Sequence, residues 1–180
     1  MHLELMRDKA REFPAVREPL AVRSARVWHC GYRSLAALAT FTNLETLVVA
    51  TYPDDSFAPL GALEHLQYLR VLHFPRATDL SPVRKLQDLT SLSLASLPSW
   101  NASGKTLKVS SLAPIAQIHN LQHLELFGVC PSDRALTPLF KLAKLRSARF
   151  SKYPKAEVQR FYEVTRVSDA YVPKPDFHAA

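Results

Sequence analysis

No run of about 18 apolar residues occurs in the 180-residue chain, so no helix is expected to cross a membrane. Cysteine is scarce. Cys30 and Cys130 are the two present, and they lie four units apart in the repeat pattern described below, where the Cα separation of about 7 Å that a disulfide tolerates is not expected. Unpaired thiols fit a reducing compartment, and a cytoplasmic location is the expectation. The opening Met1-His2-Leu3-Glu4-Leu5-Met6-Arg7-Asp8-Lys9 is charged early and has no long apolar stretch, so no secretory leader is expected. Catalytic signatures are missing as well. Gly104-Lys105-Thr106 echoes the end of a phosphate-binding loop, but Ser99 stands where that loop needs a glycine. His119 and His123 straddle a helix-to-strand junction, without the further ligands a metal pair requires. Asn101-Ala102-Ser103 matches a glycosylation acceptor, which has no meaning inside the cytoplasm. No Ser, His and Asp or Cys and His set converges, so the chain is read as no enzyme and is expected to need no cofactor or metal.

What the chain does have is repetition. Leu44-x-x-Leu47-x-Val49, Leu69-x-x-Leu72-x-Phe74, Leu89-x-x-Leu92-x-Leu94, Leu121-x-x-Leu124-x-Leu126 and Leu145-x-x-Ala148-x-Phe150 share one spacing. Such self-similarity is the mark of a leucine-rich-repeat ladder, in which each unit is too small to bury its apolar side alone and must stack on its neighbours. A second motif, Phe57-Ala58-Pro59-Leu60, Leu80-Ser81-Pro82-Val83, Leu112-Ala113-Pro114-Ile115 and Leu136-Thr137-Pro138-Leu139, precedes four ladders. Its first apolar residue stands 9 positions before the next ladder leucine in three cases, and 12 positions before it between Phe57 and Leu69. Proline suits the first turn of a helix, so each unit reads as strand, loop, short helix and next strand. The fold class is therefore α/β: a solenoid with a curved parallel sheet on its concave face and short helices or 3-10 turns on its convex face.

A weaker first unit is traced through Val22, Ala25 and Val27, giving about six units over residues 22–150. Residues 1–21 then form an N-terminal cap with a helix expected over His2 to Phe13, placing Leu3, Met6 and Ala10 on one face. Residues 151–180 form a C-terminal cap, with a closing helix from Lys155 to Val164 that turns Val158, Phe161 and Tyr162 inward. The tail Tyr171-Val172-Pro173-Lys174-Pro175-Asp176-Phe177 is expected to be extended, because its closely spaced prolines prevent a helix.

The run from Leu69 to Leu89, with Asp79-Leu80-Ser81-Pro82-Val83 inside it, resembles the short repeats of bacterial internalins and of phosphatase-regulating leucine-rich proteins. The resemblance covers roughly residues 22–150 and implies a curved solenoid that binds other proteins on its concave sheet. Two features depart from the family. Tyr52, Ala77, Leu97 and Val129 stand where a buried asparagine ladder would be, and the unit lengths of 25, 20, 32 and 24 residues are irregular.

The net charge of +7 is uneven: residues 1–34 carry +3, residues 35–140 carry −1 and residues 141–180 carry +5. Basic ends permit nucleic-acid association, but they equally describe a soluble cap, or a surface matched to an acidic partner through Arg146, Arg149, Lys152 and Lys155. On the strands, residues between the ladder positions are expected on the concave face: Glu45, Thr46 and Val48; Arg70, Val71 and His73; Thr90, Ser91 and Ser93; Gln122, His123 and Glu125; Arg146, Ser147 and Arg149. The 18-residue gap from Leu94 to Leu112 carries Trp100 between polar residues and two lysines, and is expected to project as a binding loop beside Phe127-Gly128 or to tuck against the solenoid edge. The expected partner site thus comprises Arg70, His73, Arg76, Trp100, Lys105, Gln122, His123, Glu125, Phe127, Arg146 and Arg149, its partner another protein. Nucleic acid is the alternative, and no membrane contact is expected.

Overall fold

The computed structural model describes residues 1–177. Among them one parallel sheet dominates, with eight strands in the order β1 (His2–Met6), β2 (Ser24–Trp28), β3 (Thr46–Ala50), β4 (Tyr68–Leu72), β5 (Ser91–Ala95), β7 (His123–Phe127), β9 (Ser147–Ser151) and β10 (Ser168–Asp169). A smaller parallel pair joins β6 (Leu107–Lys108) to β8 (Val129–Cys130). Opposite the sheet lie short 3-10 turns at Ala36–Thr40, Leu60–Ala62, Ser81–Lys85, Ile115–Gln117 and Thr137–Lys141, stacked in sequence order. Proline opens four of the five as expected: Pro82 and Pro138 sit in the first turn, and Pro59 and Pro114 at the position before it, whereas Leu35 precedes Ala36–Thr40.

The ladder is in register across the sheet. Ala25, Leu47, Leu69, Leu92, Leu124 and Ala148 are successive partners, followed two residues later by Val27, Val49, Val71, Leu94, Leu126 and Phe150. Leu47, Leu69, Leu92 and Leu124 are fully buried. A fully buried leucine contributes about 1.5–3 kcal/mol relative to an exposed one, so the column supplies a large share of the folding free energy.

This register corrects the sequence reading of one unit. Leu69, not Leu72, is the rung opposite Leu47, so the motif there is Leu66-x-x-Leu69-x-Val71 and Leu72 points to the concave face. The apparent 12-residue spacing from Phe57 disappears, because Phe57 stands 9 residues before Leu66, as in the other units. From Ala25 to Ala148 the true unit lengths are 22, 22, 23, 32 and 24 residues. Val71 is a core residue and leaves the list of concave residues.

The expected N-terminal helix is also overturned. His2–Met6 is a strand that pairs with β2, Leu3 opposite Ala25 and Leu5 opposite Val27. A helix face through Leu3, Met6 and Ala10 would leave the β2 edge open, whereas alternation of Leu3 and Leu5 with polar neighbours adds one more rung. The sheet therefore extends beyond residues 22–150 at both ends. At the C-terminal end the closing helix forms as expected, as α2 (Lys155–Thr165) with Phe161 buried. Its Tyr162 hydroxyl donates to the Ala148 carbonyl (2.8 Å) and to Asp169 Oδ1 (2.9 Å), which fixes β10 against β9.

Two backbone columns define the strand ends. Before each strand, one carbonyl accepts two N–H groups of the next unit: Glu45 from Gln67 and Tyr68, Gln67 from Thr90 and Ser91, Thr90 from Gln122 and His123. After each strand, Arg7, His29, Thr51, His73, Gly128 and Lys152 adopt positive φ, which turns the chain sharply away from the sheet. Ser96, next to the long insertion, is the member of this column that does not. The insertion itself is ordered: α1 (Pro98–Ala102) folds down, and Leu107 and Val109 join the core.

Replacing Leu69 by alanine is expected to cost about 2–5 kcal/mol, whereas Leu72→Ala, at a concave position, costs less than about 1.5 kcal/mol. Urea denaturation of the two variants measures the difference, and equal losses would contradict the register.

Candidate functional site

The concave face is built from the first, third and fifth residue of each five-residue strand, because strand side chains alternate. In register, the first positions are His2, Ser24, Thr46, Tyr68, Ser91, His123 and Ser147. The third are Glu4, Arg26, Val48, Arg70, Ser93, Glu125 and Arg149; the fifth are Met6, Trp28, Ala50, Leu72, Ala95, Phe127 and Ser151. The floor is thus small or hydroxylic on β3 and β5, carries Tyr68, Arg70 and Leu72 on β4 between them, and is aromatic and charged toward its ends.

The third positions form two charged stations. Arg26 Nη1 lies 3.2 Å from Glu4 Oε1 at one end. At the other, Arg149 pairs with Glu125, Ser93 Oγ donates to Glu125 Oε1 (2.7 Å), and the Arg149 guanidinium stands 5.2 Å from the centre of the Phe127 ring. Glu125 is 3% exposed, and these two partners satisfy its buried carboxyl oxygens. Arg70 lies between the stations, its Nε buried beside the Tyr68 phenol.

The tail completes the site in a way the sequence reading did not foresee. Residues 171–177 are extended, as expected, but they run over the concave face from β10 back to β1. Val172 and Pro173 lie with Thr90, Ser91, Gln122 and His123. Pro175 and Phe177 border a cleft of about 290 Å³ lined by Met6, Arg26, Trp28, Val48 and Arg70. The Phe177 ring is 4.8 Å from that of His2, and the Arg26 guanidinium lies 4.5 Å from its centre. Val48, which points to this face, is consequently only 3% exposed. Burial, with Tyr68 and Glu125 nearby, holds the Tyr171 phenol well above the usual tyrosine range.

The structure gathers some of the expected site residues and separates others. Arg70, Gln122, His123, Glu125, Phe127 and Arg149 belong to the concave face or its strand-entry rim. His73, Trp100 and Lys105 form a separate cluster at the strand-exit rim: the Trp100 and His73 rings meet edge to face at 4.7 Å, and Lys105 Nζ lies 5.7 Å from the indole centre. Trp100 is half-buried against the core, so the tucked form of the loop is the observed one. Asn101 Oδ1 accepts from Ser151 Oγ (3.1 Å), which in turn accepts from the Gly128 N–H (2.7 Å), tying the loop to the sheet edge. Arg76 is exposed outside either cluster, and Arg146 is exposed at the strand-entry rim one unit beyond Gln122. The reading missed Glu4, Arg26, Trp28 and Tyr68; a 22-residue offset from Val48 and Ala50 finds Arg26 and Trp28, and the misregistered unit concealed Tyr68.

Among the described residues no group of three or more His, Cys, Asp or Glu side chains is placed to hold a metal, and no helix is long and apolar enough to cross a membrane. The ladder in register, the 3-10 turns behind it and the capped ends define a leucine-rich-repeat solenoid. Its architecture is similar to that of an internalin C2 from Listeria monocytogenes, at 19% identity and a TM-score of 0.60 over 86% of this chain and 64% of that one. A second Listeria monocytogenes internalin is similar at 18% identity and a TM-score of 0.59, over 86% of this chain and 50% of that one. The chain thus spans less than two thirds of either protein, and at these identities the likeness is one of fold. No protein-family model matches the sequence, and no curated relative does.

Two measurements follow from the geometry. A methyl group on Gly128 would sit 2.3 Å from Ser96 Oγ, and φ is +66° there; the left-handed backbone alone costs a non-glycine residue about 1–2 kcal/mol. Gly128→Ala is expected to lower stability by about 2 kcal/mol or more and to loosen the 98–106 loop, read by denaturation and by proteolysis at that loop. Burial lowers the pKa of both His73 and His123, reinforced by His29 and Arg146 respectively. The unfolded chain binds these protons more readily, so stability is full above the ordinary histidine pKa of about 6.5 and falls as pH drops below it. The Tm is expected to fall between pH 7.5 and pH 5.5, and to fall less in a His73→Asn/His123→Asn variant.

Proposed function

We propose that this chain is a noncatalytic protein-binding module whose concave sheet is the recognition face, serving as an adaptor or as a neutraliser of its partner. One observation carries the reading: the face is built to hold polypeptide, because an extended segment already lies on it and contacts several strands in turn. The surroundings suit recognition, with aromatic rings and paired arginines toward the ends, and Tyr68 and Arg70 between strands of small residues. Partners with an acidic patch fit the exposed faces of Arg146 and Arg149. The Trp100 cluster at the exit rim supplies a second contact area on the same side of the stack.

Nucleic-acid association through the basic ends is the second reading, favoured by the exposure of Arg146 and Lys155. Against it, Arg149 and Arg26 are engaged by carboxylates, which reduces the free positive charge available to phosphates. Affinity capture from source lysate, comparing the native chain with an Arg26→Glu/Arg70→Glu variant, tests the leading reading. Proteins retained by the first and lost by the second are the expected result; identical captured sets would refute the concave face. A parallel titration with duplex and single-stranded probes, showing binding that weakens steeply with salt, would favour nucleic acid instead.

A further inference from the structure

We infer that the recognition face takes an extended segment of another protein carrying a ring or a proline at every second residue, and that Tyr171–Phe177 is a displaceable stand-in for it. The inference rests on the concave sheet being the partner face. In the tail, Tyr171, Pro173, Pro175 and Phe177 are half-buried, while Val172, Lys174 and Asp176 are exposed. Period-two alternation of this kind is what an extended chain shows when one side faces a surface. The two prolines fix φ and remove two N–H donors, so the segment is unsuited to adding a strand at a sheet edge and is suited to lying across strands. From β10 to β2 there are six inter-strand steps of about 4.8 Å, roughly 29 Å, and the eight residues beyond Asp169 reach about 26 Å when extended. The tail therefore has the length needed to cover the shorter inner arc of the face.

Several features mark the seat as exchangeable. Among the described residues, no backbone hydrogen bond joins 171–177 to the sheet; the last such bond on this side is from Ser168 N to the Arg146 carbonyl. Tyr68 Oη, Tyr171 Oη and Arg70 Nε are buried together, polar groups that face one another without well-formed hydrogen bonds. The cleft of about 290 Å³ beside Phe177 and Trp28 is left unfilled by residues 171–177. What holds the segment is ring and guanidinium contact, helped by its tether at β10. A short tether gives an effective concentration on the order of 1 mM, so an intrinsic affinity near 0.1 mM suffices to keep the tail mostly docked. A free segment with the same spacing, filling the cleft and offering an acceptor to Arg70, outcompetes it.

The test uses the full chain and a fluorescein-labelled synthetic peptide of residues 169–180. At those values the native tail weakens binding of the probe about tenfold relative to an open groove. A Tyr171→Ala/Phe177→Ala chain is therefore expected to bind the probe about tenfold more tightly than the native chain. Adding Arg70→Ala to that variant, or replacing residues 171, 173, 175 and 177 of the probe by alanine, is expected to remove the gain. Far-UV circular dichroism and thermal melting of each variant establish that the stack remains folded. Equal affinity of native and tail-altered chains, or no binding by either, overturns the inference. So does a concentration-dependent dimer of the native chain that the tail substitutions abolish, because the occupant would then be a second copy. If the probe fails while concave-face capture persists, this inference falls alone; if capture itself is insensitive to Arg26→Glu/Arg70→Glu, the recognition face falls with it.

Discussion

The rest of the structure depends on one column of apolar side chains, with Leu47, Leu69, Leu92 and Leu124 partnered strand to strand and sealed from water. Because the sheet is parallel and consecutive strands are neighbours, a change in unit length cannot be absorbed within a strand without moving a rung from the core to the opposite face. Length variation is accordingly excluded from the strands and from the 9 residues before each ladder motif, and it collects after the strand. The 32-residue unit shows how large an excess can be accommodated there: α1 and β6 are added, and β6 gains its own partner in β8. The concave face is a by-product of the same column, since the side chains that alternate with the rungs have nowhere to point but outward.

The corner positions show a different solution from an asparagine ladder. Cys30, Tyr52, Phe74, Leu97, Val129 and Tyr153 occupy them, three residues beyond the last rung of each strand. Tyr52 and Phe74 both stack on Phe57, at 5.1 and 5.2 Å between ring centres. Backbone groups that asparagine amides would satisfy are met otherwise. Thr51 N donates to the Leu72 carbonyl and Tyr52 N to that of His73, so the positive-φ residue brings the chain within direct reach of the next unit. The phenols of Tyr52 and Tyr153 donate to the Ser56 and Val129 carbonyls (2.8 and 2.9 Å). Burial drives both phenols well above the usual tyrosine range, keeping them protonated as donors.

Much of this was legible in the chain, and the failures have physical causes. The ladder, the proline-started turns, the closing helix and the extended tail follow from spacing and from the dihedral limits of proline. The register of one unit was misread because leucine stands at 66, 69 and 72, so two motif placements three residues apart fit equally well; constancy of the 9-residue interval decides between them. The N-terminal strand was misread because Leu3, Met6 and Ala10 satisfy a helical period while Leu3 and Leu5 satisfy a strand period, and only the open edge of β2 favours the second. Among the residues of the concave face, Glu125 and Arg149 were legible because they flank ladder positions. Phe177 was not, since no local pattern says which distant surface an extended tail will cover.

That last point bears on how the face is used. A solenoid floor with Val48, Trp28, Leu72 and Phe127 on it is an apolar strip, and strips of this kind invite nonspecific association when left open. Covering the strip with a tethered segment of modest affinity removes that liability while leaving the face available to a better-matched chain. A tail bound too tightly would make the face inert, and one with no inward periodicity would leave it open. Alternation of ring and proline against exposed Lys174 and Asp176, over a Tyr68–Arg70 pair that reaches the tail only through the Tyr171 phenol, fits the proposal that the tail lies between these limits. On the proposal made above, the selectivity of the face lies in the difference between its own tail and an incoming segment, and therefore in how well each fills the Trp28 cleft and meets Arg70.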